Sequence, residues 1–275
     1  MLLVPVVGFW AAVVSALLTA VSPALVYYSR YYIQETLLLA FSFGVLVSIC
    51  RYLQTPRTLW AAAAGACVGL MFATKETWVI ALGCMMAALV VALAFKRLVG
   101  ASPVTTPQRR VGWHLLAAVT AAVVASGLLF SSFLGHPRGV VDAVTAYGTY
   151  LDRAAGYASW HVHPWHYYLG LLLYSPSDGG PVWTEASIIG LALIGLVAVA
   201  RRNTAAREPA LLVFLGSYGV LMVAAYSAIP YKTPWCLLGF LHGLILLAGL
   251  GTLYLLGAAR KTLPRTVVLA LLCAA

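Results

Sequence analysis

Three short stretches set cations beside carboxylates and aromatic rings. The first, Tyr27-Tyr28-Ser29-Arg30-Tyr31-Tyr32-Ile33-Gln34-Glu35, follows the helix-disrupting Ser22-Pro23 and puts a guanidinium five residues before a carboxylate. The second is Thr74-Lys75-Glu76-Thr77, and the third is Tyr231-Lys232-Thr233-Pro234-Trp235. Arg30 in such a setting holds an anionic head group, with Glu35 pairing with it or contacting an acceptor. Glu76 stands in the same relation to Lys75. Taken singly, each stretch serves equally well as an interfacial anchor, with a snorkelling cation and a belt of aromatics such as Tyr31 and Tyr231. Together they put three cations at one level, and ionisable groups at membrane depth are costly unless they pair or face a polar cavity, so they mark a ligand path.

A fourth cluster, His161-Val162-His163-Pro164-Trp165-His166, invites a metal reading because imidazole is a common metal ligand. No acidic or thiol fourth ligand stands at a helical or hairpin spacing from it, so no metal is assigned. His161, His163 and Trp165 are read instead as polar contacts to a substrate or as loop packing. Tyr147, Tyr150, Tyr157 and Trp160 supply faces that stack on sugar rings or anchor the chain at an interface. Asp142, Asp152 and Arg153 lie nearby. His114 and His242 fall in or near apolar runs and read as hydrogen-bonded packing residues.

The elements that position these groups are membrane spans. Of 275 residues, 63% are hydrophobic and 9% charged, where a soluble domain is roughly a quarter charged. A crossing takes about 20 apolar residues. Runs at 3–22, 36–53, 58–74, 77–95, 113–133, 183–200, 209–228, 234–256 and 266–275 supply about nine, which predicts an all-α, polytopic transmembrane bundle. The net charge of +10 is scattered in pairs between these runs rather than gathered on one soluble face, so it reads as topology and not as a nucleic-acid surface. Twelve of the 17 basic residues fall in alternate loops (Arg51, Arg57, Lys96, Arg97, Arg109, Arg110, Arg201, Arg202, Arg207, Arg260, Lys261, Arg265), and by the positive-inside rule these face the cytoplasm.

The other loops, with Arg30, Lys75, Arg138, Arg153 and Lys232, then face outward. The stretch 165–175 is too short to cross, and a crossing there would force Arg201 and Arg202 outside. It therefore belongs to one long, partly helical external region over 135–182. The five cysteines read as packing residues, and the small residues 61–66 as close helix packing. The chain 1–275 is read as one transmembrane domain. With no basic residue before Arg30 and an apolar run still open at Ala275, it is expected to be cut at both ends from a longer protein.

In order along the chain, Ser22-Pro23, Tyr28-Ser29-Arg30, Glu35, Arg51-Tyr52-Leu53, Gly69-Leu70 and Ala73-Thr74-Lys75-Glu76 resemble the membrane-embedded GT-C glycosyltransferases, which include the protein O-mannosyltransferases and the aminoarabinose transferases. Ala146-Tyr147-Gly148, Asp152-Arg153, His163-Pro164-Trp165, Tyr167-Tyr168 and Tyr231-Lys232-Thr233-Pro234-Trp235 look closer to a bacterial and archaeal subfamily of flippase-activity-associated proteins. The resemblance implies transfer of a sugar from a polyprenyl-phosphate carrier to an acceptor at the external face of the cell (inner or plasma) membrane, with inversion. Its partners would be the bilayer and the lipid-linked sugar, with no certain cofactor and the need for a divalent metal left open.

Family members use a carboxylate in the first external loop as base, and that loop is expected upstream of Met1. Glu35 and Glu76 are the carboxylates left for a catalytic role. Arg30, Lys75 and Lys232 form the expected phosphate clamp, since fixed cations in a poorly hydrated site stabilise a departing phosphate. A transporter or flippase of lipid-linked glycans is the rival, although it would place its charges near mid-span and show an inverted repeat. A non-catalytic subunit of a glycan-assembly complex is a third reading.

Overall fold

A computed structural model describes residues 4–99, 108–154, 161–176, 182–201 and 209–259. In chain order the helices are α1 (Val4–Val7), α2 (Phe9–Val21), α3 (Pro23–Ser29), α4 (Glu35–Gln54), α5 (Thr58–Thr74), α6 (Trp78–Leu98), α7 (Gln108–Phe130), α8 (Gly139–Thr145), α9 (Tyr147–Ala154), α10 (Tyr167–Leu173), α11 (Ala186–Ala200), α12 (Pro209–Ala228) and α13 (Leu238–Ala259), the last preceded by a 3-10 turn over Pro234–Leu237. Two isolated antiparallel bridges, Val162 with Tyr231 and Ser175 with Trp183, are the extended pairings among the described residues. The expected all-α membrane bundle is the architecture observed.

Helix stops and starts follow local chemistry. Between α2 and α3 the Ser22 hydroxyl caps the second helix by accepting from the Leu25 amide at 3.3 Å, and Pro23 occupies its first turn, where no amide proton is needed. The two helices meet at 60°. Glu35 opens α4 and Arg51 closes it, each complementing the helix dipole. Lys96 and Arg97 do the same for the end of α6.

Five helical stretches are long and apolar enough to cross a membrane: Glu35–Gln54, Trp78–Leu98, Val111–Phe130, Pro209–Ala228 and Pro234–Ala258. The bent α2–α3 pair makes a sixth, while α5 and α11 are apolar but shorter, with 17 and 15 residues. Eight of the nine expected runs thus carry an apolar helix; the ninth, 266–275, lies outside the described residues. The stretch 165–175 holds only the seven-residue α10, about 10 Å long at 1.5 Å per residue, and so does not cross.

Packing centres on α13, which touches α2, α4, α11 and α12, while α5 joins α4 to α7 and α12 joins α6 to the centre. The seams are made by small residues, as membrane helices require when no water drives them together. A Cβ on Gly65 or Gly69 of α5 would stand 1.9 or 2.3 Å from the Ala118 or Ala122 carbonyl oxygen of α7. On Gly251 of α13 it would stand 1.9 Å from the Leu191 carbonyl oxygen of α11. The run 61–66 does lie at such a seam. Cys50, Cys67, Cys84 and Cys236 are free and buried or half-buried, as packing residues are; Cys273 lies outside the described residues.

Candidate functional site

The loops expected on the external side converge at one end of the bundle. Tyr27 of α3 meets Trp183 with ring centroids 5.4 Å apart, and Trp78 of α6 donates to the Tyr147 hydroxyl of α9. His161 packs edge-on against Tyr231 at 5.2 Å, and the buried Tyr168 donates to the Thr233 carbonyl oxygen at 3.1 Å. At the opposite end Tyr52 and His114 share a 2.8 Å hydrogen bond, so His114 is the bonded packing residue expected.

At the converging end, the turn between α5 and α6 carries Lys75 and Glu76 into the wall of a cavity of about 350 Å³. Tyr147 and Tyr150 of α9, Tyr226 near the end of α12, and Tyr231 and Trp235 are the aromatic residues of the lining. α4 and α5 run antiparallel, so the first residue of α4 lies opposite the residue just past α5. Glu35 is therefore the partner of Lys75, and the two form an ion pair. Glu35 is 5% exposed and sits behind the lysine, while Lys75 is 14% exposed and faces the cavity. This replaces both expected pairings, Arg30 with Glu35 and Lys75 with Glu76. Glu76 lines the cavity and makes no ion pair among the described residues.

The three-cation clamp is not brought together. Arg30 is exposed on the tyrosine-rich turn after α3 and makes no ion pair among the described residues. Lys232 is 1% exposed, and its ammonium donates to the carbonyl oxygens of His163, at 3.3 Å, and Ile229. Desolvation holds its pKa below the ordinary lysine value. Of the three, Lys75 alone lines the cavity.

The histidine cluster serves the loop. The Lys232 amide donates to the His161 carbonyl oxygen at 2.7 Å, and the His163 amide to the Pro230 carbonyl oxygen at 3.1 Å. His163 stacks on Tyr167 at 4.0 Å, and Trp165 is 66% exposed. Neither His161, His163 nor Trp165 reaches the cavity, whereas Tyr231 does; Tyr31 is 53% exposed beside Tyr27 and Tyr28. No group of three or more His, Cys, Asp or Glu side chains among the described residues is arranged to hold a metal ion.

Burial raises the Tyr147 pKa, the Trp78 hydrogen bond opposes the shift and the nearby Glu76 charge adds to it, so Tyr147 is a neutral phenol. Because Trp78 is the donor in that bond, the phenolic proton remains for another acceptor. The cavity thus offers a cation, an unpaired carboxylate and several ring faces in a space the size of a small polar ligand.

Residues 3–130 match the family model described as dolichyl-phosphate-mannose-protein mannosyltransferase. No curated protein matches the chain. The mannosyltransferase match covers α2–α7, and so includes Glu35, Lys75 and Glu76. It supports a membrane glycosyltransferase of the GT-C type, and with the apolar helices it makes this a multi-pass membrane protein. The cavity residues Tyr147, Tyr226, Tyr231 and Trp235 lie beyond the matched stretch.

Two buried groups escaped the sequence reading. Tyr226 reads as one aromatic in an apolar helix, and only the fold turns it into the cavity. Glu185, 3% exposed, accepts from the Ser22 hydroxyl at 2.7 Å and the Ala24 amide at 2.8 Å, tying the start of α11 to the α2–α3 elbow. A carboxylate heading an apolar run is a visible helix-start signal, but its partner 163 residues away is not visible in the sequence.

Proposed function

We propose that the protein transfers a sugar from a polyprenyl-phosphate-linked donor to an acceptor, in the cavity beside Lys75 and on the external face of the cell membrane. The observation that carries this reading is the placement of Lys75: an ammonium at the cavity wall, held from behind by the buried Glu35. As the bond from the anomeric carbon to the phosphate oxygen breaks, the electron pair goes to the phosphate. A cation fixed in a poorly hydrated site stabilises that charge without reorganising.

Glu35 is the positioning residue for Lys75. Glu76, in the cavity and without an ion-pair partner among the described residues, is the carboxylate placed to take the proton of the acceptor hydroxyl as its oxygen bonds to the anomeric carbon. A single displacement of this kind inverts the anomeric centre. The aromatic walls supply faces for the sugar ring.

The test uses full chains in membranes, with a panel of radiolabelled polyprenyl-phosphate hexoses and pentoses. Transfer should occur with at least one donor and fall by at least about a hundredfold in Lys75→Met, the scale of a lost electrostatic stabiliser. Glu76→Gln should also be strongly impaired. Turnover within twofold of the wild type in both variants defeats the assignment. The external placement is checked separately: Tyr32→Cys should react with an impermeant thiol reagent from outside and Arg57→Cys only from inside, and the reverse pattern turns the cavity to the cytoplasm.

A further inference from the structure

After α7 the chain makes a turn that L side chains avoid. Ser132, Phe133 and Leu134 take positive φ in succession, at 49°, 56° and 72°, a region in which Cβ crowds the following carbonyl oxygen. Specific bonds hold them there. The Phe133 amide donates to the Leu128 carbonyl oxygen at 2.7 Å, the His136 amide to the Ser131 carbonyl oxygen at 2.8 Å, and the Leu134 amide to the Ser131 hydroxyl at 3.1 Å. The turn directs Phe133 and Leu134 outward, each 73% exposed. In water both the backbone and the two side chains would be unfavourable, so the turn calls for an apolar partner.

The turn leads into α8 and α9, which form one helical path because Ala146 between them keeps helical angles, φ −59° and ψ −20°. At 3.6 residues per turn this path has three faces. Ala143, Ala146, Tyr147 and Tyr150 are half-buried against the protein. Asp142, Thr145, Thr149 and Asp152 make an exposed polar face, with His136 Nε2 3.7 Å from the Asp142 carboxylate. Val140, Val141, Val144 and Leu151 make the third face, apolar and 41–69% exposed. Both ends of the path are tied to the ends of spans. A Cβ on Gly139 would stand 2.1 Å from the carbonyl oxygen of Phe130, the last residue of α7. Tyr147 is bonded to Trp78, the first residue of α6, and its ring lies 6.3 Å from that of Phe72, near the end of α5. The path therefore crosses the ends of three spans at the level where they leave the hydrocarbon.

We propose that residues 132–152 form an interfacial anchor lying in the plane of the bilayer surface, with the exposed apolar side chains of the turn and of α8–α9 seated at the boundary between head groups and acyl chains. Asp142, Thr145, Thr149 and Asp152 face water. A helix placed between protein, lipid and water needs three such faces, and a two-faced amphipathic helix would serve only two of the three. The bilayer is the occupant because the apolar surface is continuous with one that already faces it: Leu128 and Leu129, exposed in the last turn of the α7 span, are followed at once by Phe133 and Leu134. The anchor also bears on the cavity beside Lys75. Tyr147 and Tyr150 project from its inner face into that cavity, and Leu151 both lines the cavity and is exposed, so one lip of the cavity rests on the lipid surface. The placement of the helix stands whether or not the cavity transfers a sugar.

The experiment uses the full wild-type chain in phosphatidylcholine nanodiscs, read by peptide mass spectrometry after two kinds of labelling. One set of discs is doped with a phosphatidylcholine carrying a photoreactive diazirine either next to the glycerol or at the end of an acyl chain. Hydroxyl radicals probe water in a parallel set. An interfacial helix sits about 5–10 Å deep in a leaflet whose hydrocarbon is about 15 Å thick, so the glycerol-level probe should label Phe133, Leu134, Val144 and Leu151 about fivefold or more above the chain-end probe. Val119 of α7, in mid-span and 51% exposed, should show the reverse. Hydroxyl radicals should modify His136, whose side chain is 62% exposed, and spare Phe133 and Leu134 despite their greater exposure. Ready oxidation of Phe133, Leu134 and Leu151 without lipid labelling overturns the proposal and puts this face in water. Protection from radicals without lipid labelling overturns it in favour of a protein partner. Labelling of Thr149 and Val144 alike by the chain-end probe overturns it as well, because the helix is then immersed in hydrocarbon. The measurement needs no variant to fold.

Discussion

The partnership of Lys75 with Glu35 predicts an asymmetric response to mutation. Removing one member of a buried pair leaves the other as an uncompensated charge, at a cost of about 3–5 kcal/mol, most of it the penalty on the stranded partner. The two partners are not equally stranded. Glu35 is 5% exposed behind the lysine, whereas Lys75 is 14% exposed and can turn its ammonium into the cavity. Lys75→Met should therefore cost about 3 kcal/mol, at the low end of that range because Glu35 can take up a proton instead.

Glu35→Gln should cost only about 1 kcal/mol, the value of an ordinary hydrogen bond. At roughly 2–4 °C per kcal/mol, Lys75→Met lowers the melting temperature by about 6–12 °C. The double variant should recover most of the loss, because no charge then remains to be stranded. The assay is thermal unfolding of purified protein in detergent, followed by intrinsic fluorescence. A double variant as unstable as Lys75→Met, or a Glu35→Gln that is the worse of the two singles, refutes the burial argument. Sugar transfer should stay at least about a hundredfold below the wild type in Lys75→Met and in the double variant alike, which separates loss of the cation from loss of the fold.

Three further outcomes follow from the geometry. Glu185→Ala removes the acceptor for Ser22 and Ala24 and should destabilise by about 2 kcal/mol, while Glu185→Gln keeps an acceptor oxygen and should lose less than half as much; thermal unfolding checks both. Gly251→Ala forces a Cβ against the Leu191 backbone and should cost about 1–3 kcal/mol or prevent accumulation of folded protein. By contrast Gly83→Ala meets nothing within 4 Å and should be neutral or stabilising by up to about 1 kcal/mol, as yields of monodisperse protein will show. Lys232→Met frees the His163 and Ile229 carbonyl oxygens, so hydrogen exchange at the His163 amide should quicken at least tenfold while α13 stays protected.

The sequence made the helices legible because a membrane span is a composition signal: an apolar run of sufficient length has few alternatives. Charge sorting between loops likewise anticipated that the stretches around Glu35, Lys75, Tyr147 and Tyr231 share one end of the bundle. What it could not supply was pairing. Glu35 was read with the nearest cation in sequence, Arg30, and Lys75 with its neighbour Glu76, whereas the antiparallel α4–α5 hairpin joins Lys75 to Glu35.

Lys232 looked like its companions because its flanking residues are similar. Only the turn around it shows the ammonium directed inward onto carbonyl oxygens. Glu185 and Tyr226 were missed for the same reason, since a lone polar group in an apolar run acquires meaning from a partner far away in the chain.

The central place of α13 bears on how the protein is made. α2, α4, α11 and α12 all pack against a helix that begins at Leu238 and so leaves the ribosome after every one of them. Helices inserted earlier must wait in the lipid with the glycine-lined seam of α11 and the Ala11–Ser15 flank of α2 uncovered. Until α13 arrives, the nascent bundle lacks its keystone. Chains stalled before residue 238 should be bound by membrane chaperones and cleared by proteases, and a pause in translation just beyond α12 would lengthen the interval in which the protein is most vulnerable.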